Sequence, residues 1–175
     1  MTQATDIPGR KPDGAWAHLL HVLRENPVTM LSFGMFAFFL LQAFFGALIV
    51  PHDPLATNAA NALQPPNWSH WFGTDSLGRD VFSRVVVATR LDLTISVLAV
   101  AISFVIGSVL GAIAGYWGGW IDAVLNRVLD TIMAFPLFVL AMGIVAALGN
   151  TVENIIYATA LINIPFYARL VRAEV

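Results

Sequence analysis

Between positions 70 and 84, HWFGTDSLGRDVFSR, the chain gathers the residue types from which metal sites and hydrolase sites are built. His70 and Asp75 could ligate an ion, and Ser76 or Ser83 could act as a nucleophile. Each chemistry needs further parts: a zinc-type ion takes three or four protein donors, and a serine needs a base with its own orienting group. No second histidine lies close in sequence, because His52 sits upstream in a proline-rich stretch. No base and orienter follow either serine. With no cysteine in the chain, disulfides, thiolate metal sites and cysteine nucleophiles are excluded. The expectation is a block with no catalytic residue, no metal and no bound cofactor, serving as an ordered elbow or a docking surface.

The local pattern supports an elbow. Thr74 and Asp75 followed by Ser76, Leu77 and Gly78 predict a capped turn, because short polar side chains satisfy free backbone N–H groups. Gly73 and Gly78 supply backbone freedom there. From Asp80 the pattern turns helical, with Arg79 beside it and Asp80 and Arg84 spaced i, i+4. Val81, Val85 and Ala88 would then share a face, predicting an amphipathic helix on the outer surface that runs into Leu93.

The elements around this block are greasy. Hydrophobic residues make up 58% of the 175 and charged residues 11%, against about a quarter charged in soluble domains. So few charges cannot cover a soluble surface, which predicts contact with lipid. The net charge of −2 and the lack of a basic run give no support for nucleic-acid binding. Residues 28–50 carry no charge. At about 1.5 Å per residue they reach about 34 Å, enough to cross a hydrocarbon core of about 30 Å. A cleaved signal peptide would be shorter and end in small residues, so this run reads as a retained span. A second uncharged run covers 93–117; a third span reaches from about 122 to 148, its purely apolar part beginning after Asp130, and a weaker fourth covers 152–168. Pro136 should bend or locally open the third. The fourth carries Glu153, Asn154, Asn163 and Pro165, a composition suited to burial among helices. Glu153 stands at its start, where a helix favours an anion. The layout is a tail over 1–27, a first span over 28–50, an outer loop and elbow over 51–92, and a helical domain from 93 onward.

With the N-terminus inside, the inner segments hold Arg10, Lys11, Arg24, Arg127, Arg169 and Arg172, and the outer loop holds Arg79, Arg84 and Arg90. That excess favours a cytoplasmic N-terminus. The five tryptophans (Trp16, Trp68, Trp71, Trp117, Trp120) flank the runs, as interfacial belts require.

Two groups of residues stand out within the runs. Ser103, Gly107, Gly111 and Gly115 recur every fourth position, making one stripe where a neighbouring backbone can come close. That neighbour could belong to this chain or to a partner. Arg127 and Asp130, three apart, share a helix face and read either as an interfacial ion pair or as part of a cytoplasmic gate. Asn163 and Pro165 read as pathway residues or as helix-packing ones. Arg169, Arg172 and Glu174 mark a cytoplasmic exit, suited to anchoring at lipid headgroups.

FGTDSLGRDVFSRVVVATRLDL at 72–93 resembles the signature of one of the two membrane subunits of bacterial dipeptide and oligopeptide ABC importers, a type that also serves nickel. The likeness continues through residues 95–142 and into PFYARLVRAEV at 165–175, with Ala88 and Asp92 departing from the family's usual glycine and serine. It covers residues 70–175 well and the earlier part in layout only. The resemblance implies an all-α, polytopic membrane bundle of the type I permease fold, here with four of six spans and both ends cytoplasmic in the bacterial inner membrane. It implies a homologous sister permease, two cytoplasmic ATP-binding subunits that hold and hydrolyse ATP, and an extracytoplasmic solute-binding protein. It also makes Gly73, Thr74, Asp75, Gly78, Arg79, Asp80 and Arg84 an extracytoplasmic docking motif, and Arg169, Arg172 and Glu174 a support for a coupling loop. That loop should begin where the chain ends, so the resemblance predicts a truncated form that does not transport alone. The expected function is a peptide permease subunit with no chemistry of its own. The alternative is a small membrane scaffold or assembly protein, or a non-functional permease fragment, binding a partner through the glycine stripe.

Overall fold

The computed structural model describes residues 26–175; Trp16, Arg10, Lys11 and Arg24, used above for tail and orientation, lie outside them. Five α-helices and one 3-10 turn make up the described elements. Helix α1, Pro27–Ile49, starts where its sequence permits: Asn26 accepts from the Val28 and Thr29 amides at 3.1 and 3.3 Å, and proline occupies the first turn. The helix is apolar all round and almost wholly exposed, as a lipid-facing rod should be. Gly46 is its one buried residue. An added Cβ there would lie 2.8 Å from Val86, so the missing side chain lets α1 seat on the next helix.

Helix α2, Val81–Trp117, is a single element of 37 residues. It begins well before residue 93, because Arg84, Arg90 and Asp92 interrupt hydropathy without interrupting helical geometry. Its length of about 55 Å exceeds the bilayer core, leaving an end outside the membrane. Two compact units divide the chain, the first ending at Thr89 and the second starting at Arg90.

Helix α3, Gly119–Met133, follows a turn in which Gly118 takes φ +58°. Helix α4, Leu137–Leu148, begins after Pro136, and the two are bent by 89°. Pro136 therefore breaks the apolar run into two helices instead of kinking one. Helix α5, Val152–Glu174, is capped by Thr151, whose hydroxyl accepts from the Asn154 amide at 3.3 Å. Helices α1, α2 and α5 are each long and apolar enough to cross a membrane, and the bent α3–α4 pair makes a fourth candidate. In the second unit the core lies where α5 meets α2 and α3: Ala99 with Ile156 and Ala160, and Leu129 with Ile164 and Ala168.

Candidate functional site

The polar block forms an ordered elbow inside the first unit. Gly73 and Gly78 both take φ +71°, a left-handed conformation that a Cβ disfavours. At Gly78 a Cβ would also collide with the Asn58 carbonyl, so the upstream loop lies directly on the turn. Backbone bonds fasten the two strands of chain: Asn58 N–H to Leu77 C=O at 3.0 Å, Leu63 N–H to Asp75 C=O at 3.0 Å, and Thr74 N–H to Gln64 C=O at 3.0 Å. The buried Thr74 hydroxyl accepts from the Gln64 amide at 2.9 Å and donates to the Asn61 carbonyl.

Asp75 organises the turn, as the capped-turn pattern predicts. Its Oδ1 accepts from the Leu77 and Arg79 amides at 2.9 and 3.0 Å, and its Oδ2 from Arg79 Nε at 2.8 Å. Arg84 reaches the same Oδ2. The expected i, i+4 pair between Asp80 and Arg84 is thus corrected. Arg84 spends its charge on Asp75, which already lies on the arginine's side of the turn.

Asp80 instead heads α2 as a cap. Its Oδ2 accepts from the Ser83 amide at 2.8 Å and the Ser83 hydroxyl at 2.7 Å, and its Oδ1 lies 2.9 Å from His70 Nδ1. Burial of Asp80 works against its charge, but the Ser83 and His70 donors prevail and hold its pKa below the usual value. The first turns of α2 bury Ser83 and Val86 and leave exposed Val85 and Ala88, two of the three residues expected to share a face. The reason is the elbow itself, which needs Ser83 inward to hold Asp80.

The absence of a second histidine near His70 is also corrected. The ring of His52 lies 4.7 Å from that of His70, tilted by 37°. One donor atom each from His52, His70 and Asp80 falls within 4.8 Å of the others, a set able to hold a metal ion. The local signal missed this because the loop returns over a gap of 18 positions, through prolines that give no periodicity.

In the second unit the glycine stripe meets α5 of the same chain. The Ser103 hydroxyl donates to the Ala99 and Ala160 carbonyls at 2.6 and 2.9 Å. A Cβ on Gly107 would lie 2.8 Å from the Ile164 carbonyl, one on Gly111 would meet the Ala168 carbonyl, and one on Gly115 would meet Val175 at 2.9 Å. Of the two neighbours the stripe could take, it takes this chain's own helix.

The ion pairs differ from those expected. Among the described residues Asp130 pairs with Arg169 at 2.6 Å, not with Arg127. Arg172 pairs with Asp122, its NH2 2.6 Å from Oδ2, and Asn126 Nδ2 donates to Asp122 Oδ1 at 2.6 Å. Pairings 39 and 50 positions apart leave no local trace in sequence. An apolar cleft of about 540 Å³ lies between α4 and α5, lined by residues including Met142, Val145, Ile155 and Thr159. The expected pathway residues do not line it. Asn163 Nδ2 donates to the Thr159 carbonyl of its own helix at 2.8 Å, and Pro165 is fully buried within α5.

Three or four apolar helices with exposed faces define a multi-pass membrane protein. Residues 107–175 match the family described as the binding-protein-dependent transport system inner membrane component, and residues 14–66 match the N-terminal transmembrane domain of oligopeptide transport permease C. The chain belongs to this family of permeases. It is 40% identical over 160 residues to a dipeptide transport system permease protein of Alkalihalophilus pseudofirmus, covering 91% of this chain and 53% of that protein. It is likewise 40% identical to a probable D,D-dipeptide transport system permease protein of Escherichia coli, covering 90% of this chain and 53% of the relative. A glutathione transport system permease protein of Escherichia coli is also 40% identical, over 96% and 57% of the two chains. The chain spans about half the length of the curated relatives it matches.

Proposed function

We propose that this chain supplies part of the permease of an ATP-driven ABC importer and helps form half of a translocation path for peptides across the bacterial inner membrane. The observation that carries this reading is the pairing of both family matches with the helices they predict, over an elbow fastened by Asp75 and Asp80. Two homologous permeases shape the path, two cytoplasmic subunits bind and hydrolyse ATP, and an extracytoplasmic binding protein docks at the elbow. The permease performs no chemistry; helix tilting alternately exposes its path to each side. The scaffold alternative loses its interface, because the glycine stripe is occupied by α5.

The excess of basic residues in the inner segments favours a cytoplasmic N-terminus, which places the elbow outside and the end of α5 inside. The cysteine-free sequence makes this directly testable. Ser76→Cys is expected to react with a membrane-impermeant maleimide on intact spheroplasts, and Ala173→Cys only after permeabilisation. The opposite pattern rejects the orientation. Deleting the gene in its host is expected to lower uptake of radiolabelled di- and oligopeptides, and the complete reading frame to restore it. Undiminished uptake of every peptide tried rejects the substrate class.

A further inference from the structure

The transport reading uses Asp80 only as the cap that fastens the elbow, and the construction of the His52–His70–Asp80 cluster goes beyond what an elbow requires. A cap on α2 needs only Asp80 with Ser83, and a buffered cap needs only His70 in addition. The loop nevertheless brings a second imidazole, His52, against the first. Two of the three side chains are also gripped from behind. His52 Nε2 lies 2.7 Å from the Ser69 carbonyl, which calls for a proton on that nitrogen and leaves Nδ1 with its lone pair. Asp80 Oδ2 is held by the Ser83 amide and hydroxyl, leaving Oδ1 toward His70. The His52 amide itself lies 3.4 Å from the Ser83 hydroxyl, tying the loop to the same serine. Asp80 and His70 side chains are 1% and 12% exposed. A cleft of about 200 Å³ opens onto the cluster, with Asp53, Asn58 and Asn61 on its walls.

From this geometry we infer that His52, His70 and Asp80 form a site for a divalent transition-metal ion of the zinc class. Imidazole nitrogens with one carboxylate suit Zn²⁺, Ni²⁺ or Cu²⁺ far better than Mg²⁺ or Ca²⁺, which prefer all-oxygen shells. The ion takes one nitrogen from each histidine and Asp80 Oδ1, with water from the cleft completing its shell. Ser69 and Ser83 are the outer partners that orient the ligands, an arrangement typical of metal-binding histidines and carboxylates. The ion would take the place of the hydrogen bond between His70 Nδ1 and Asp80 Oδ1, which lie 2.9 Å apart. The bound ion would lock residues 52–56 onto the start of α2, fixing the elbow's outer surface.

The experiment titrates Zn²⁺ into the purified full chain in nanodiscs, carrying no polyhistidine tag, by calorimetry, and follows Co²⁺ in parallel by its visible ligand-field absorption. One equivalent is expected. His52→Ala is the diagnostic variant, since His52 takes no part in capping α2; it should weaken binding by about tenfold or more, and Ser83→Ala by about tenfold to a hundredfold. Circular dichroism of His52→Ala should match the parent. The two remaining histidines, His18 and His21, are spaced i, i+3 and serve as the control. His18→Ala with His21→Ala should retain the ion. Absence of saturable Zn²⁺ binding overturns the site, as does binding that survives His52→Ala and disappears in the His18, His21 double variant.

Discussion

Asp75 is the residue on which the elbow's charge balance turns. Two backbone amides and two guanidinium groups converge on its carboxylate. Desolvation alone would raise its pKa, but the amides of Arg79 and Leu77 and the Arg79 guanidinium outweigh it and hold the group at about 2, below the ordinary 3.8. A carboxyl whose folded pKa lies below its unfolded one contributes stability that is complete above about pH 4 and lost as pH falls through about 2. The Asp75 carboxyl carbon should therefore titrate by NMR with a midpoint near 2, and a midpoint near 3.8 rejects the network. Asp75→Asn keeps the shape but removes the charge that Arg79 and Arg84 share. Tryptic cleavage after those arginines at neutral pH should then run several-fold faster than in the parent, and an unchanged rate rejects Asp75 as the organiser. The turn was legible in sequence, because Asp75, Gly78 and their spacing are local signals. The partner of Arg84 and the meeting of His52 with His70 were not, since both depend on how the chain folds back.

At the scale of elements, the close seam between α2 and α5 depends on absent side chains. Without a hydrophobic drive between helices in lipid, close backbone approach and contact area do the holding. At Gly111 any Cβ would run into the Ala168 carbonyl, part of a helix backbone that cannot swing aside. Overfilling such a contact costs about 1–3 kcal/mol. Gly143, on α4, has nothing within 4 Å of where its Cβ would sit. Gly111→Val should lower the midpoint of thermal unfolding in detergent by several degrees, and Gly143→Ala should leave it unchanged or raise it. Equal midpoints for Gly111→Val and parent would mean the seam is looser than its geometry. The existence of these helices was readable, since uncharged runs of bilayer length carry the strongest signal in any sequence. Their ends were less so. Charged residues hid the first turns of α2, and a single proline shows where a helix must yield but not that it yields by 89°.

For the whole molecule, the second unit combines a break with a latch. Pro136 divides α3 from α4, and two ion pairs tie α3 to the far end of α5: Asp130 to Arg169 and Asp122 to Arg172. Asp122 and Asp130 stand eight residues apart, close to two helical turns, so both lie on the face of α3 turned toward α5. The pairs are partly exposed, and as static anchors screened by solvent they contribute little to stability. A gate asks for something else, namely a contact that reforms in a different arrangement as two permeases rock apart. The complete subunit, assembled with its partners, separates the two roles. Asp130→Asn should leave assembly intact, judged by co-purification of the partner subunits, while ATP-coupled peptide uptake falls severalfold. Exchanging the charges, Asp130→Arg with Arg169→Asp, should recover a substantial part of that uptake, because the pair is then rebuilt with opposite polarity. Normal uptake by Asp130→Asn reduces the pair to an interfacial anchor. Failure of the exchanged pair after a real loss in Asp130→Asn would mean that Asp130 acts on some group other than Arg169.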